Sequence, residues 1–281
     1  MDITAGSIPG GSPLVALDID GTIVHWDGHL SERVAKAISE LAQSQATIVI
    51  ATGRSVLATI PILRQLGLVR SGLFAVCSNG AVTVVLDPAL PEGYRLHHVV
   101  TFDPRPAVDI LIRLIPDAII AVEDVGVGFK VNRLFPEPDL AERQMVVSVD
   151  ELVAKPVPRV TFRDLSAKPV DFARMIDDIG LHGVNYAVGF SSWLDLAPEG
   201  VSKASGLEAV RLALGIGSEH TIAVGDQRND IEMLQWAARG VAMGQAPPEV
   251  VAAADEVTDD VQHDGLAVVL EGLMSALEDV A

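Results

Sequence analysis

Two aspartates two residues apart, Asp18 and Asp20, close an apolar run and lead into Gly21 and Thr22; the stretch reads VALDIDGT. An unpaired carboxylate inside a strand core is strongly unfavourable or takes up a proton. The pair therefore belongs just beyond a strand, where it can meet a cation or a ligand. Other polar clusters follow apolar runs in the same way: Thr52-Gly53-Arg54, Asn79-Gly80 and Gly225-Asp226. If these runs are parallel strands of one sheet, the clusters share its carboxyl edge, where open α/β sheets bind ligands. Asp18, Asp20, Asp226 and Asp230 then concentrate negative charge that calls for a cation, and hard oxygen donors suit Mg²⁺. Beside such a metal, Thr52, Lys203 and nearby backbone N–H groups can hold phosphate oxygens. An aspartate can attack phosphorus as a covalent nucleophile. A carboxyl two residues on can protonate the leaving alkoxide and then activate the water that breaks the aspartyl phosphate.

The elements that must position these residues alternate in the required way. Leu14 to Leu17 reads as a buried strand, and Ser31 can cap a helix carrying Val34, Ile38 and Leu41 at helical spacing. ATIVIATGR gives a second strand, a helical stretch interrupted or kinked at Pro61 follows, and LFAVCSNG gives a third. Strand and helix in alternation predict parallel βαβ units. The middle differs. VTVVLD and RLHHVV predict an antiparallel pair, a helix over about Ala107 to Ile115 comes next, and AIIAVEDVGVGFKVN reads as one long strand. Residues 83–190 are expected to form an inserted α+β domain between two pieces of the core, 1–82 and 191–281. The parallel pattern resumes with helix SKASGLEAVRLALG, strand TIAVGD, helix DIEMLQWAA and strand GVAMG.

DIDGT, ATGR, the lysine of GVSKASGL, and GDQRNDIEML together resemble the four motifs of the haloacid dehalogenase superfamily, in order. The long segment after SNGA and the tail RGVAMGQAP to VQHDGLAVVL resemble its Cof-type (IIB) branch. The resemblance implies a Rossmann-like α/β core with a cap domain, and a Mg²⁺-dependent phosphatase. It implies Asp18 as nucleophile and metal ligand, and Asp20 as general acid and base that also gives its backbone carbonyl to the metal. It implies Thr52, Gly53, Lys203 and Asn229 around the phosphoryl group, Asp226 as a ligand of Mg²⁺, and Asp230 in support of the metal site. Arg54, Asn79 and Gly80 are candidate substrate contacts. Gln245 departs from the asparagine usual in that branch, which puts the shape of its loop in question.

Plainer readings stand beside these. Arg54 can contact phosphate or pair with a carboxylate. Asn79-Gly80 can be a simple turn. Lys203 by itself reads as a solvated helix-start lysine, and Cys77, with apolar flanks, as a packed thiol. GVGFKV and GIGSEH lack the third glycine of a dinucleotide fingerprint.

Composition bounds the partners. The 281 residues are 49% apolar, so a substantial core is affordable. Twenty Lys and Arg against 38 Asp and Glu leave a formal charge of −18, which disfavours nucleic acid and anionic membranes but not a small anion in a locally positive site. A single cysteine excludes an intrachain disulfide. The opening residues lack a signal-peptide pattern, and no apolar stretch is long enough to cross a bilayer, so a cytoplasmic location is expected. The expected substrate is a small phosphorylated metabolite, a sugar phosphate or a phosphorylated cofactor such as flavin mononucleotide or pyridoxal phosphate. A phosphomutase, a receiver-like module and a phosphosugar-binding domain are the alternatives. Substrate choice is expected to lie in the insert, with joints near Ala81 to Thr83 and Phe190 to Trp193, and with Glu123, Lys130 and Arg133 as candidate contacts.

Overall fold

The computed structural model describes residues 12–136, 140, 142–166, 184–189 (backbone course only) and 193–278. The opening tail, the segment 167–183 and most of the expected second joint lie outside the described residues.

Among the described residues an eight-stranded sheet runs in the order β14 (Glu256–Val257), β13 (Arg239–Ala242), β12 (Thr221–Gly225), β1 (Leu14–Leu17), β2 (Thr47–Ala51), β3 (Phe74–Cys77), β4 (Val82–Leu86), β5 (Tyr94–Val99). Its centre is parallel: β1 (Leu14–Leu17) lies between β12 (Thr221–Gly225) and β2 (Thr47–Ala51), and β3 (Phe74–Cys77) lies beyond β2. Both faces are covered, so these strands read as continuous apolar runs rather than alternating ones. Val15, Leu17, Ile48 and Ile50 enter one core with helices α1 (Glu32–Leu41), α2 (Val56–Gln65) and the C-terminal Gly265–Glu278. Leu14, Ala16, Val49 and Ala51 face the other, with the helices at Lys203–Leu214 and Ile231–Trp236. Ser31 and Ser55 cap α1 and α2 by accepting from the N–H three residues on. Pro61 lies inside α2 without ending it.

A second sheet has the order β10 (Val184–Gly189), β11 (Trp193–Pro198), β9 (Val160–Arg163), β6 (Ile119–Asp124), β7 (Gly128–Val131), β8 (Gln144–Val146). Its buried residues Ile120, Val122, Val160, Phe162, Leu194 and Leu196 pack against α3 (Arg105–Leu114). The expected single long strand is a hairpin: β6 (Ile119–Asp124) turns back at 125–127 into β7 (Gly128–Val131). Both edges of the insert differ from expectation. The antiparallel pair β4 (Val82–Leu86) and β5 (Tyr94–Val99) extends the larger sheet from β3, so the boundary at 83 falls inside a core strand. At the other end β11 (Trp193–Pro198) pairs with β9 (Val160–Arg163) in the smaller sheet, although it lies after 190. An alternating pattern marks a strand but not the sheet that it joins, because the hydrogen-bonding edge is common to every strand.

The strand β3 passes into the turn Ser78–Gly80, where Ser78 and Asn79 both take left-handed backbone angles. Gly80 has φ +99°, and a Cβ there would overlap the Ser202 carbonyl at the start of the helix carrying Lys203. That close approach sets the height of Lys203 relative to the sheet edge. Gly80→Ala is expected to lower stability by about 2–4 kcal/mol, combining backbone strain with the overlap. Urea unfolding followed by circular dichroism checks this, and an unchanged midpoint would show that the helix is not seated by this turn.

Candidate active site

Asp18 follows β1 directly, and its N–H still donates to Val224 O. The residue is 4% exposed. Lys203 is the first residue of its helix, fixed there by a reciprocal pair in which Ser202 and Ser205 cap one another. Its side chain runs inward rather than into solvent and is 1% exposed. The ammonium donates to Asp18 Oδ1 and to Asp230 Oδ1, both at 2.6 Å. Asp230 uses its other oxygen to accept from the N–H groups of Asp226 and Gln227, at 3.0 and 2.9 Å. One carboxylate thus anchors the lysine and ties the loop that presents Asp226.

Asp18, Asp226 and Asp230 each offer a carboxylate oxygen within 4.8 Å of the others. Asp226 is buried; its Oδ2 accepts from Gln227 Nε2 and Gln245 Nε2, while its Oδ1 has no partner among the described residues. Burial lifts the Asp226 carboxyl to about 6, against the opposing hydrogen bond from Gln227. Burial also raises Asp18 well above the usual carboxylate range, only partly opposed by Lys203, with Asp230 and Asp226 adding to the rise. For Lys203 burial works against the charge, but Asp18 and Asp230 outweigh it and hold the ammonium above its ordinary value. One ammonium does not balance three crowded carboxylates. An orphaned buried oxygen and hard oxygen donors at this spacing fit a divalent cation.

The Asp20 carboxylate lies outside that cluster. It is gripped by the Arg54 fork, Nε to Oδ2 at 2.8 Å and Nη2 to Oδ1 at 2.5 Å. Of the two roles open to Arg54, the structure shows the carboxylate pairing. Gly21, at φ +79°, lets the chain pass beneath Asp226 and Trp26, both of which a Cβ would strike. Gln245 has a structural part: its amide donates to Gly21 O at 2.6 Å and to Asp226, and its Oε1 accepts from Val261 N–H at 3.0 Å. The departure at this position therefore joins three loops of the site.

Thr52 is buried at the end of β2, and its hydroxyl oxygen accepts from Arg54 N–H at 3.1 Å. Asn79 N–H donates to Thr52 O, and Asn229 Nδ2 donates to Asn79 Oδ1 at 2.9 Å. Gly53 sits where a Cβ would approach both asparagine side chains. Thr52, Gly53, Asn79 and Asn229 therefore border one space. Cys77 is packed as expected, with burial pushing its thiol up to about 12.

The candidates in the smaller sheet fare differently. Lys130 pairs with Glu151, and Arg133 donates to Asp117 O. Glu123 reaches the core, where it accepts from Ser78 Oγ at 2.6 Å. Two residues that pattern reading passed over, Arg159 and Asp195, form a largely buried fork pair at 2.9 Å, and Arg159 Nη1 also donates to Gly53 O. A charge inside each of two apolar runs, VPRVTFR and WLDLAP, was the available signal, since buried opposite charges pair.

Residues 15–92 and 148–270 match the model of the haloacid dehalogenase-like hydrolase family. The chain belongs to that family. It is 31% identical over 274 residues to "Putative phosphatase YkrA" of Bacillus subtilis, covering 93% of this chain and 98% of that protein. It is 27% identical to the 5-amino-6-(5-phospho-D-ribitylamino)uracil phosphatase YitU of the same organism, over 93% and 97% of the two chains. The solved HAD subclass IIB sugar phosphatase BT4131 superposes with a TM-score of 0.78 at 23% identity, covering 94% and 99%, and shares the fold. As a family member the chain is an enzyme, a hydrolase of the phosphatase class.

Removing the buried cation should expose the strain among the carboxylates. Lys203→Met is expected to cost about 3 kcal/mol in chelator-treated buffer, the range for breaking a buried ion pair on one side. Added Mg²⁺ should return part of the loss. Unfolding titrations with and without Mg²⁺ check this, and unchanged stability in chelator would mean that the carboxylates are not mutually charged.

Proposed function

We propose that this enzyme is a Mg²⁺-dependent phosphatase of small phosphorylated metabolites that works through an aspartyl phosphate on Asp18. The observation that carries the reading is the buried Asp18 carboxylate, which accepts from Lys203 and has an oxygen within 4.8 Å of one of Asp226, a residue whose Oδ1 is partnerless among the described residues. An Asp18 oxygen attacks phosphorus and the ester P–O bond breaks. Asp20 delivers a proton to the departing alkoxide and afterwards takes one from the water that attacks the aspartyl phosphate, releasing inorganic phosphate and restoring Asp18. Arg54 holds both oxygens of the Asp20 carboxylate and so sets where that carboxyl stands.

Thr52 and Lys203 hold the phosphoryl oxygens, with Gly53 and Asn229 beside them and Asn79 and Gly80 shaping the border. Asp18, Asp226 and the Asp20 carbonyl would hold Mg²⁺, with Asp230 behind them. A bound Mg²⁺ supplies neutralisation of phosphoryl charge. The phosphorylated ribityl compound named for YitU is in keeping with a sugar phosphate or phosphorylated cofactor as substrate. The smaller sheet, as a cap, supplies contacts to the leaving group.

Asp18→Asn keeps the shape and removes the anionic oxygen. It is expected to fold and to lose turnover by about 10³-fold or more, as loss of a covalent route does. Asp20→Asn should suffer most with poor leaving groups. Phosphate release from alkyl and aryl phosphates measures both; near-normal release by the Asp18 variant would refute the mechanism. Detection of an isomeric phosphosugar instead of inorganic phosphate would indicate a mutase.

The metal is tested separately. Chelator should abolish phosphate release and Mg²⁺ should restore it. Asp226→Ala should weaken Mg²⁺ binding by about 10-fold or more in calorimetric titration, as loss of a carboxylate ligand implies. Full activity in metal-free buffer would overturn the assignment.

A further inference from the structure

Among the described residues, three side-chain hydrogen bonds join the smaller sheet and its loops to the core, beside the loops of the site. Arg159 Nη1 donates to Gly53 O at 2.9 Å, Ser55 Oγ donates to Glu142 at 2.7 Å, and Ser78 Oγ donates to Glu123 at 2.6 Å. The first differs in kind. Arg159 is 8% exposed and is locked before it reaches the core. Its Nε and Nη2 hold both oxygens of Asp195, and Thr161 Oγ1 donates to the same carboxylate at 2.7 Å. Only Nη1 is left to reach outward. A charged donor on a pre-set fork makes a short, directional bond.

The carbonyl that it reaches and the N–H of Arg54 belong to one planar peptide unit. That N–H donates to Thr52 Oγ1. Holding the carbonyl fixes the plane, the plane fixes the N–H, and the N–H occupies an acceptor site of the Thr52 hydroxyl, leaving its proton free to donate elsewhere. The same peptide begins the residue whose side chain grips Asp20. Arg159 belongs to one sheet and Gly53 to the other, so the bond exists only while the two are together.

The structure assigns to Arg159 the part of a positioning residue that sets the Gly53–Arg54 peptide, and through it Thr52 and Asp20, when the smaller sheet closes on the core. The assignment rests on the phosphatase reading for its catalytic consequence, but the coupling itself is separately measurable. The order of events follows: the phosphate-holding hydroxyl and the acid are aligned by closure, so an open enzyme is not primed to hydrolyse a bound phosphate.

The experiment compares wild type, Arg159→Met and Arg159→Lys. Lysine keeps a charge for Asp195 but cannot make the fork and reach Gly53 together, and it serves if the methionine variant does not fold. Backbone amide exchange at Arg54 is read by NMR, and kcat and KM are read with p-nitrophenyl phosphate and with glycerol phosphate. Exchange at Arg54 is expected to speed up by about 10-fold or more, as for an opened local hydrogen bond. kcat is expected to fall by about 10–100-fold with little change in KM, as for an interaction made in the transition state, and to fall further for glycerol phosphate, which needs the acid. Unchanged Arg54 exchange overturns the assignment whatever the rates do, and so does an equal kcat loss on both substrates. If wild type releases no phosphate from any substrate, the phosphatase reading fails, while the exchange result still decides the coupling.

Discussion

A buried ammonium held between two buried carboxylates is the interaction on which the rest of this molecule depends. Lys203 touches Asp18 and Asp230, and all three lie out of water. Separating them would leave a charge uncompensated in a medium that solvates it poorly. The two strands and the helix that carry them must therefore arrive at one point. Asp18 ends β1, Asp230 follows β12, and Lys203 opens the helix seated on the Ser78–Gly80 turn. The order of the sheet, with β1 between β12 and β2, makes that meeting possible.

The remaining imbalance is informative. Asp226 keeps an oxygen without a partner among the described residues, in spite of glutamine amides on its other oxygen. A structural ion pair would have no reason to leave it so. A cation brings the positive charge that three carboxylates and one ammonium lack, and their crowding favours its binding. Stability and binding are linked here through the same charges.

The loops around the triad are held from both sides. Gln245 ties Gly21, Asp226 and Val261 within the core. Arg159, Glu123 and Glu142 reach the Gly53, Ser78 and Ser55 positions from the smaller sheet. The contact between the two sheets is not free of cost. Glu123 buries one oxygen without a partner among the described residues, and burial raises its carboxyl above the usual range against the pull of Arg159. Good contacts at Arg159 are set against a poor one at Glu123.

The parallel core and the residues that meet in it were legible in the sequence because both rest on local rules. A buried parallel strand must be apolar throughout, and a carboxylate cannot lie within it, so each Asp-bearing motif marks a strand end. From that, Asp18, Thr52, Asn79 and Asp226 could be assigned to one edge. The structure alone decided what each charge meets. Arg54 chose Asp20, Lys203 turned inward rather than to solvent, and Gln245 became a three-way tie, because each depends on side-chain reach across loops far apart in the chain. It also decided that β4 and β5 extend the core while β11 joins the cap, since a strand's alternation gives its faces and not its neighbours. Arg159 was hidden for the same reason: its value lies in a partner on another strand and a carbonyl in another sheet, and no spacing along the chain records either.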